Sequence, residues 1–153
     1  MLFPDPTNDD CANAIPINEV TDLPFSTVGA TASGDNPGCE GDPDPVDIWY
    51  AYTASTSGLT LHLTYAEAAL TRLAIWDACG GNLLACNDGF GPVCFAQQSS
   101  IKMQVAAGVT YYVQVGGNDA TTGTGDLTIF LDIPGLWTGA VSVLTGQLPA
   151  KAG

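Results

Sequence analysis

The chain contains very few positive charges. Its 153 residues include three Lys or Arg against sixteen Asp or Glu, and its formal net charge is −13 at pH 7. Proteins that bind nucleic acid need cations to neutralise phosphates, and proteins held on anionic lipid need them for the headgroups. The scarcity of Lys and Arg therefore excludes ordinary nucleic-acid binding and argues against attachment to a membrane surface.

Long hydrophobic runs are missing as well. No apolar stretch approaches the length of a membrane-spanning helix, so we expect no membrane insertion. Residues 1–5 have neither the basic nor the apolar region of a signal peptide. We therefore expect either that the sequence is the mature form or that Met1 was added to it.

Signatures of catalysis are sparse. His62 is the only histidine, so any Ser-His-Asp or Cys-His arrangement must use it, and no Gly-x-Ser-x-Gly elbow is present. His62 lies on the polar side of an alternating segment, where a surface residue is expected. The paired carboxylates of a glycosidase are the open alternative, but most acids fall in turns. We expect a protein that is not an enzyme.

Period-two alternation dominates the chain, and 18 Gly and 10 Pro separate the alternating segments. The predicted strands are Pro24–Ala30, Asp47–Thr53, Leu59–Thr64, Leu73–Trp76, Ser100–Val105, Thr110–Val115 and Asp126–Ile133. Only Tyr65–Leu70 has the pattern of a short helix. This spacing predicts an all-β fold, an antiparallel β-sandwich or jelly roll of seven to eight strands.

Two segments lie outside this pattern. Residues 1–10 are predicted to be an extended N-terminal segment, residues 11–133 the sandwich, and residues 134–153 a C-terminal tail that begins at Pro134-Gly135. Within the tail, Ala140–Leu144 is typical of one more strand. That strand either folds back on its own sandwich or completes the sheet of a neighbouring copy.

Five cysteines stand at positions 11, 39, 79, 86 and 94, without the CxxC spacing of a zinc site. Such usage favours disulfides in an oxidising compartment, so we expect a secreted protein, extracellular or at the cell surface. Cys11–Cys39 and Cys79–Cys86 are the pairs considered first. Cys94 is then left over, and Cys86–Cys94 is an open alternative.

Several loops are rich in carboxylate and amide oxygens, which are the ligands that calcium prefers. Asp9, Asp10 and Asp88 are the candidate calcium ligands, and no other cofactor is expected. No EF-hand spacing is present. The alternative is that these acids are solvated turn residues that bond to the backbone.

The tryptophans are the candidates for contact with a sugar ring. Trp49 and Trp76 lie in predicted strands and are expected to anchor the core, because half of the residues of an alternating strand face inward. Trp137 lies in the tail. It is predicted to be either a sugar platform or an anchor into a neighbouring subunit.

Five motifs occur in the same order as in the bacterial pre-peptidase C-terminal (PPC) domains, and the chain resembles that family over roughly 8–133. The motifs are Asn8–Ile15, Asp47–Ala54, Leu83–Asp88, Gly108–Gly117 and Gly123–Ile129. The resemblance implies a secreted, non-catalytic β-sandwich module linked to secretion, adhesion or carbohydrate contact.

The chain also departs from the PPC pattern. Members often carry a Cys near Tyr65, whose absence here accounts for the odd cysteine count, and a second Asp where this chain has Gly89. We therefore do not expect this chain to have, at those positions, the polar or metal site that a PPC domain could build there.

Two functions follow from these observations. The first is a structural protein that assembles with copies of itself into a filament or surface layer, with Trp137, Val141, Val143 and Leu144 at the interface. The second is a module that binds a glycan or another extracellular ligand.

Overall fold

The structure, a computed structural model, describes residues 5–32, 46–55, 59–66, 71–87, 99–117 and 122–132. Within these residues the chain forms one 3-10 turn, Cys11–Asn13, and nine strands. The strands are β1 (Ile15–Ile17), β2 (Val20–Ser26), β3 (Asp47–Thr53), β4 (Leu59–Ala66), β5 (Thr71–Trp76), β6 (Leu83–Asn87), β7 (Ser99–Val105), β8 (Thr110–Gly117) and β9 (Thr124–Asp132).

The strands form two sheets. One has five strands in the order β1-β3-β8-β5-β6, and the other has four in the order β2-β9-β4-β7. The all-β sandwich predicted from the sequence is confirmed. The predicted number of strands is too low, because β1 and β6 are short and β6 does not alternate in burial. One pair departs from the antiparallel pattern, since β1 runs parallel to β3.

Two local predictions are corrected by the pairing. The first predicted strand begins earlier, at Val20, and residues 27–30 turn through Gly29, whose φ of +88° favours glycine. The helix predicted over Tyr65–Leu70 is wrong at its start, because Tyr65 and Ala66 continue β4. Tyr65 pairs with β7 and β9 at once, and two ladders outweigh a weak propensity for one helical turn. Residues 67–70 lie outside the described residues.

The main core lies between the two sheets. It is built from the alternate positions of the paired strands, and removing these side chains from water is the main source of stability. Its buried members are Phe25, Ile48, Tyr50, Tyr52, Ala54, Leu73, Ile75, Ile101, Val105, Tyr111, Val113, Val115, Leu127 and Ile129.

The other face of the five-stranded sheet is also buried at positions of β3, β5 and β8. Asp47, Trp49, Arg72 and Gln114 are each no more than 2% exposed, and they alternate with core residues along their strands. Asp47 and Arg72 share Gly116 as register partner. A Cβ at Gly116 would lie 2.6 Å from the Val46 carbonyl oxygen, so only glycine fits between these two residues.

The C-terminal predictions lie outside the described residues. These are the domain edge at Pro134-Gly135, the strand over Ala140–Leu144 and the interface residues Trp137, Val141, Val143 and Leu144. Among the residues that are described, no helix has the length and hydrophobicity needed to cross a membrane.

Candidate functional site

The N-terminal segment lies along the edge of β3. The Asn8 side-chain amide donates to the Trp49 carbonyl oxygen at 2.9 Å, and the Trp49 N–H donates to the Asn8 carbonyl oxygen at 2.8 Å. Asn8 is 5% exposed. Its short amide satisfies a backbone carbonyl that no strand reaches, so the segment is fixed in place ahead of β1.

Asp9 holds the same segment to the residues that follow β2. Its carboxylate accepts two hydrogen bonds of 2.7 Å, from the Thr31 N–H and from the Thr31 hydroxyl. In the turn just before Thr31, Gly29 lies so close to Asp5 that a Cβ added to Gly29 would lie 3.1 Å from Oδ1 of Asp5. Residues 5–9 and the turn after β2 therefore pack directly against each other.

Thr27 joins this turn to the start of β9. The Thr27 N–H donates to the Gly123 carbonyl oxygen at 2.8 Å, and the Gly123 N–H donates to the Thr27 hydroxyl at 2.9 Å. Thr27 is buried. One end of the sandwich therefore brings together the N-terminal segment, the end of β2 and the starts of β3 and β9.

Two adjoining depressions occur at this end, and together we call them the end groove. One has a volume of about 400 Å³ and the other about 670 Å³, and they share Phe25 and Ser26. The first is lined by Asp5, Pro6, Thr7, Asn8, Phe25, Ser26, Val28, Ile48 and Tyr50. The second is lined by Pro24, Phe25, Ser26, Thr124, Gly125 and Asp126. These volumes fall in the range of small-molecule sites.

The end groove combines an apolar floor with polar walls. Phe25 and Tyr50 on the floor are 7% and 5% exposed, while the carboxylates of Asp5 and Asp126 on the walls are exposed. Burial raises the pKa of the Tyr50 phenol, although a hydrogen bond with the Asn8 side chain opposes the shift. The phenol therefore keeps its proton at neutral pH. Such a site can hold hydroxyl groups at its rim and a C–H face on its floor.

The disulfide connectivity differs from the pairs considered first. Cys11 is bonded to Cys79, so Cys11–Cys39 and Cys79–Cys86 are both wrong. The Cys11–Cys79 bond joins the segment ahead of β1, at one edge of the five-stranded sheet, to the β5–β6 turn at the opposite edge. Sequence proximity favoured a local bridge, whereas the fold brings these two Cα atoms to 5.7 Å. Cys86 is also disulfide-bonded.

Cys39 and Cys94 lie outside the described residues. The alternative pair Cys86–Cys94 therefore stays a prediction.

Calcium also stays a prediction. Asp9 uses both carboxylate oxygens on Thr31, and Asp10 precedes the 3-10 turn without a side-chain capping bond. Among the described residues, no three His, Cys, Asp or Glu side chains are grouped as metal ligands. Asp88, the third candidate, lies outside them.

The two strand tryptophans lie on the buried outer layer of the five-stranded sheet. Trp49 is 1% exposed, and its ring centroid lies 6.4 Å from that of Trp76. The Trp76 indole N–H donates to Gln114 at 2.9 Å. Trp49 is buried as predicted, but on the opposite side of the sheet from the main core. Neither residue lines the end groove.

Sequence reasoning missed the end groove. Asp5, Tyr50 and Asp126 come from three distant segments, and no motif marks them as a set. Tyr50 falls within the predicted strand Asp47–Thr53, and nothing in that pattern marks it as a site residue. A weak signal was present in Asp5 and Pro6, since an extended Pro-containing segment requires a docking surface to be ordered.

These elements define a β-sandwich module with a ligand-sized groove at one end. A family model described as galactose binding domain-like and T9SS-associated matches residues 7–129. The chain belongs to this family, and the association with the T9SS identifies it as a secreted, extracellular module. No curated protein is significantly similar to it.

The fold is shared with a PPC domain, as the sequence resemblance implied. The crystal structure of the pre-peptidase C-terminal domain of collagenase from Bacillus anthracis superposes with a TM-score of 0.52 at 14% identity. The match covers 85% of this chain and 100% of that domain.

Proposed function

We propose that this secreted module is non-catalytic and binds a neutral glycan in the end groove. The observation that carries the proposal is a groove with an apolar floor and carboxylate walls in a chain of the galactose binding domain-like family. Family membership alone supports a ligand-binding role, and the groove supports its location.

The groove chemistry suits a sugar. A hexose presents hydroxyl groups around its edge and C–H groups on its faces. Carboxylates such as those of Asp5 and Asp126 accept hydrogen bonds from hydroxyl donors, and charged acceptors give the stronger bonds. Phe25 supplies apolar surface beneath, and the Tyr50 phenol, held protonated by burial, is able to donate or accept.

The charge of the chain favours a neutral sugar. A net charge of −13 repels sulfated or uronic-acid glycans, and the two wall carboxylates would repel an anionic group at short range. We therefore expect acidic glycans to bind more weakly than neutral ones of the same size.

The test is galactose binding by wild type and by the Asp126→Asn variant, measured by calorimetry or by NMR titration. Loss of a charged acceptor is expected to weaken binding by about tenfold. Asp10→Asn removes the same charge outside the groove lining and is expected to bind as wild type does. Equal affinities for all three proteins, or no binding to any neutral sugar on an array, would overturn the proposal.

Self-assembly through the C-terminal tail stays a prediction from the sequence. Deleting residues 136–153 and measuring particle size by light scattering tests it. If the full chain is monomeric, or if its size is unchanged by the deletion, the tail does not mediate assembly.

A further inference from the structure

The end groove has two parts with separate walls. The N-terminal segment, residues 5–8, lines the smaller depression alone, and β9 lines the larger one alone. Each part has one exposed carboxylate, Asp5 in the smaller depression and Asp126 in the larger. Each part therefore offers its own charged acceptor for the hydroxyl groups of a sugar.

The two parts are continuous across the end of β2. Phe25 and Ser26 line both depressions. Their register partners on β9 are Gly125 and Thr124, and Gly125 has no side chain to place beside Phe25. A ligand larger than one sugar can therefore extend over these residues from one depression into the other.

The two parts differ in polarity. Apart from the residues that they share, the smaller depression is lined by four apolar or aromatic side chains, those of Pro6, Val28, Ile48 and Tyr50. Among the described residues that line the larger depression alone, Pro24 is the single one of this kind. The smaller part therefore suits the C–H face of a sugar ring, and the larger part suits a hydroxyl-rich edge.

The wall of the smaller depression is fixed before a ligand arrives. The Asn8 side chain donates to the Trp49 carbonyl oxygen at 2.9 Å and the Asn8 carbonyl oxygen accepts the Trp49 N–H at 2.8 Å. Asp9 accepts two hydrogen bonds of 2.7 Å from Thr31. A ligand that binds against a preformed wall does not have to order a loop, which would cost binding free energy.

We propose that the ligand is a neutral disaccharide with one sugar in each depression. Galactose lies against Asp126 in the larger depression, and a second hexose lies in the smaller one, between Asp5 and the apolar surface of Val28. This inference rests on the proposed function and deepens it, because it names the size of the ligand and the subsite that selects for it.

The test compares galactose with galactobiose by calorimetry on wild type, Asp5→Asn and Asp126→Asn. Wild type is expected to bind galactobiose about tenfold more tightly than galactose. Asp126→Asn is expected to weaken both sugars by a similar factor and so to keep this ratio, whereas Asp5→Asn should reduce the ratio by about threefold or more. Asp10→Asn removes the same charge outside the groove lining and is expected to keep the wild-type affinities for both sugars.

Amide NMR spectra of wild type locate the second sugar without any substitution. Both sugars are expected to shift the amide signals of Thr124 and Asp126, which line the larger depression. Galactobiose alone is expected to shift those of Thr7 and Val28, which line the smaller one.

The outcomes separate this inference from the proposed function. If galactose binds and galactobiose binds no more tightly, if Asp5→Asn keeps the wild-type ratio, or if Thr7 and Val28 do not respond to galactobiose, the second subsite is wrong and the proposed function stands. If wild type binds neither sugar, the second subsite is also wrong, and an array on which no neutral glycan binds overturns the proposed function with it.

Discussion

Polar residues on the outer faces of the two sheets differ in how far they are buried. On the five-stranded sheet, Asp47 and Gln114 are buried, and Gln114 donates to Asp47 at 2.5 Å while accepting from Trp76 at 2.9 Å. On the four-stranded sheet, Asp126 and Thr124 are exposed. A polar position in an alternating strand therefore marks the face away from the core, not the face toward water.

The difference follows from what covers each sheet. The segment that contains Asn8 and Cys11 is hydrogen-bonded to β3, the second strand of the five-stranded sheet, and is disulfide-bonded to the turn between β5 and β6 at the far edge. Polar groups removed from water must find partners within the protein, and the line from Trp76 through Gln114 to Asp47 supplies some of them. Among the described residues, the buried indole N–H of Trp49 has no hydrogen-bond partner. On the four-stranded sheet, Thr124 and Asp126 of β9 stay exposed and need no such partners.

The largest expected effect comes from removing the Cys11–Cys79 bond. The bond spans 68 residues of sequence, and in the chain-entropy model a loop of this length contributes about 4 kcal/mol. Replacing both cysteines by serine should lower the free energy of unfolding by that order. It should also shift tryptophan emission to the red, because the segment paired with Trp49 is then held less firmly.

Chemical denaturation followed by fluorescence measures both changes. A double variant with wild-type stability and emission would show that the hydrogen bonds of Asn8 and Asp9 are enough to hold the N-terminal segment against the five-stranded sheet. Reducing the wild type is not an equivalent experiment, since Cys86 is in a disulfide as well.

A matched pair of aspartates tests the comparison itself. Asp47→Ala removes the buried carboxylate that accepts from the Gln114 amide and should cost about 3 kcal/mol of unfolding free energy. Asp126→Ala removes an exposed carboxylate and should change stability by less than about 0.5 kcal/mol. Urea denaturation of both variants gives the two values. Similar losses of unfolding free energy in the two variants would mean that the outer faces of the two sheets do not differ as the burial of Asp47 and the exposure of Asp126 indicate.

The sequence predicts the sandwich because burial of alternate residues imposes period two on most strands. β3, β4, β7, β8 and β9 were all identified close to their observed bounds. β1 was missed, because three residues with a proline in the middle have no readable period. β6 was missed as a strand, because its burial does not alternate.

The groove and the disulfide depend on the order of the strands. Asp5 and Tyr50 line one depression of the end groove and Asp126 lines the other. The two depressions adjoin only because β3 begins, β2 ends and β9 begins at the same end of the sandwich. Cys11 reaches Cys79 because the segment ahead of β1 comes to within bonding distance of the β5–β6 turn, although β1 and β6 lie at opposite edges of the five-stranded sheet. Single-sequence periodicity contains no information on strand order, so neither was predictable from the residues alone.

The smallest expected effect concerns a carboxylate at the rim of the five-stranded sheet, which contrasts with the buried Asp47. Glu19 accepts the Tyr52 hydroxyl at 2.5 Å and the Ser55 N–H at 3.3 Å. Burial by itself raises the pKa of Glu19, but these hydrogen bonds outweigh it and hold the pKa below the ordinary value of 4.5. The folded chain therefore gains stability from ionised Glu19 above that pH and loses it as the pH falls.

The hydrogen bond between Glu19 and Tyr52 also makes the stability depend on pH in the alkaline range, where the dependence has the opposite sign. Burial, together with the hydrogen bond and charge of Glu19 and the neighbouring Tyr111, raises the pKa of Tyr52 above its ordinary value of 10.0. Stability contributed by the protonated phenol is present below that pH and is lost as the pH rises.

Glu19→Gln should therefore flatten the stability profile both between about pH 5 and 3 and above about pH 10. Asp10→Asn, which changes a side chain without a capping bond, should leave both slopes as in wild type. Thermal denaturation across this pH range measures them, and an unchanged profile in Glu19→Gln would show that the Glu19–Tyr52 bond is too solvated to link protonation to folding.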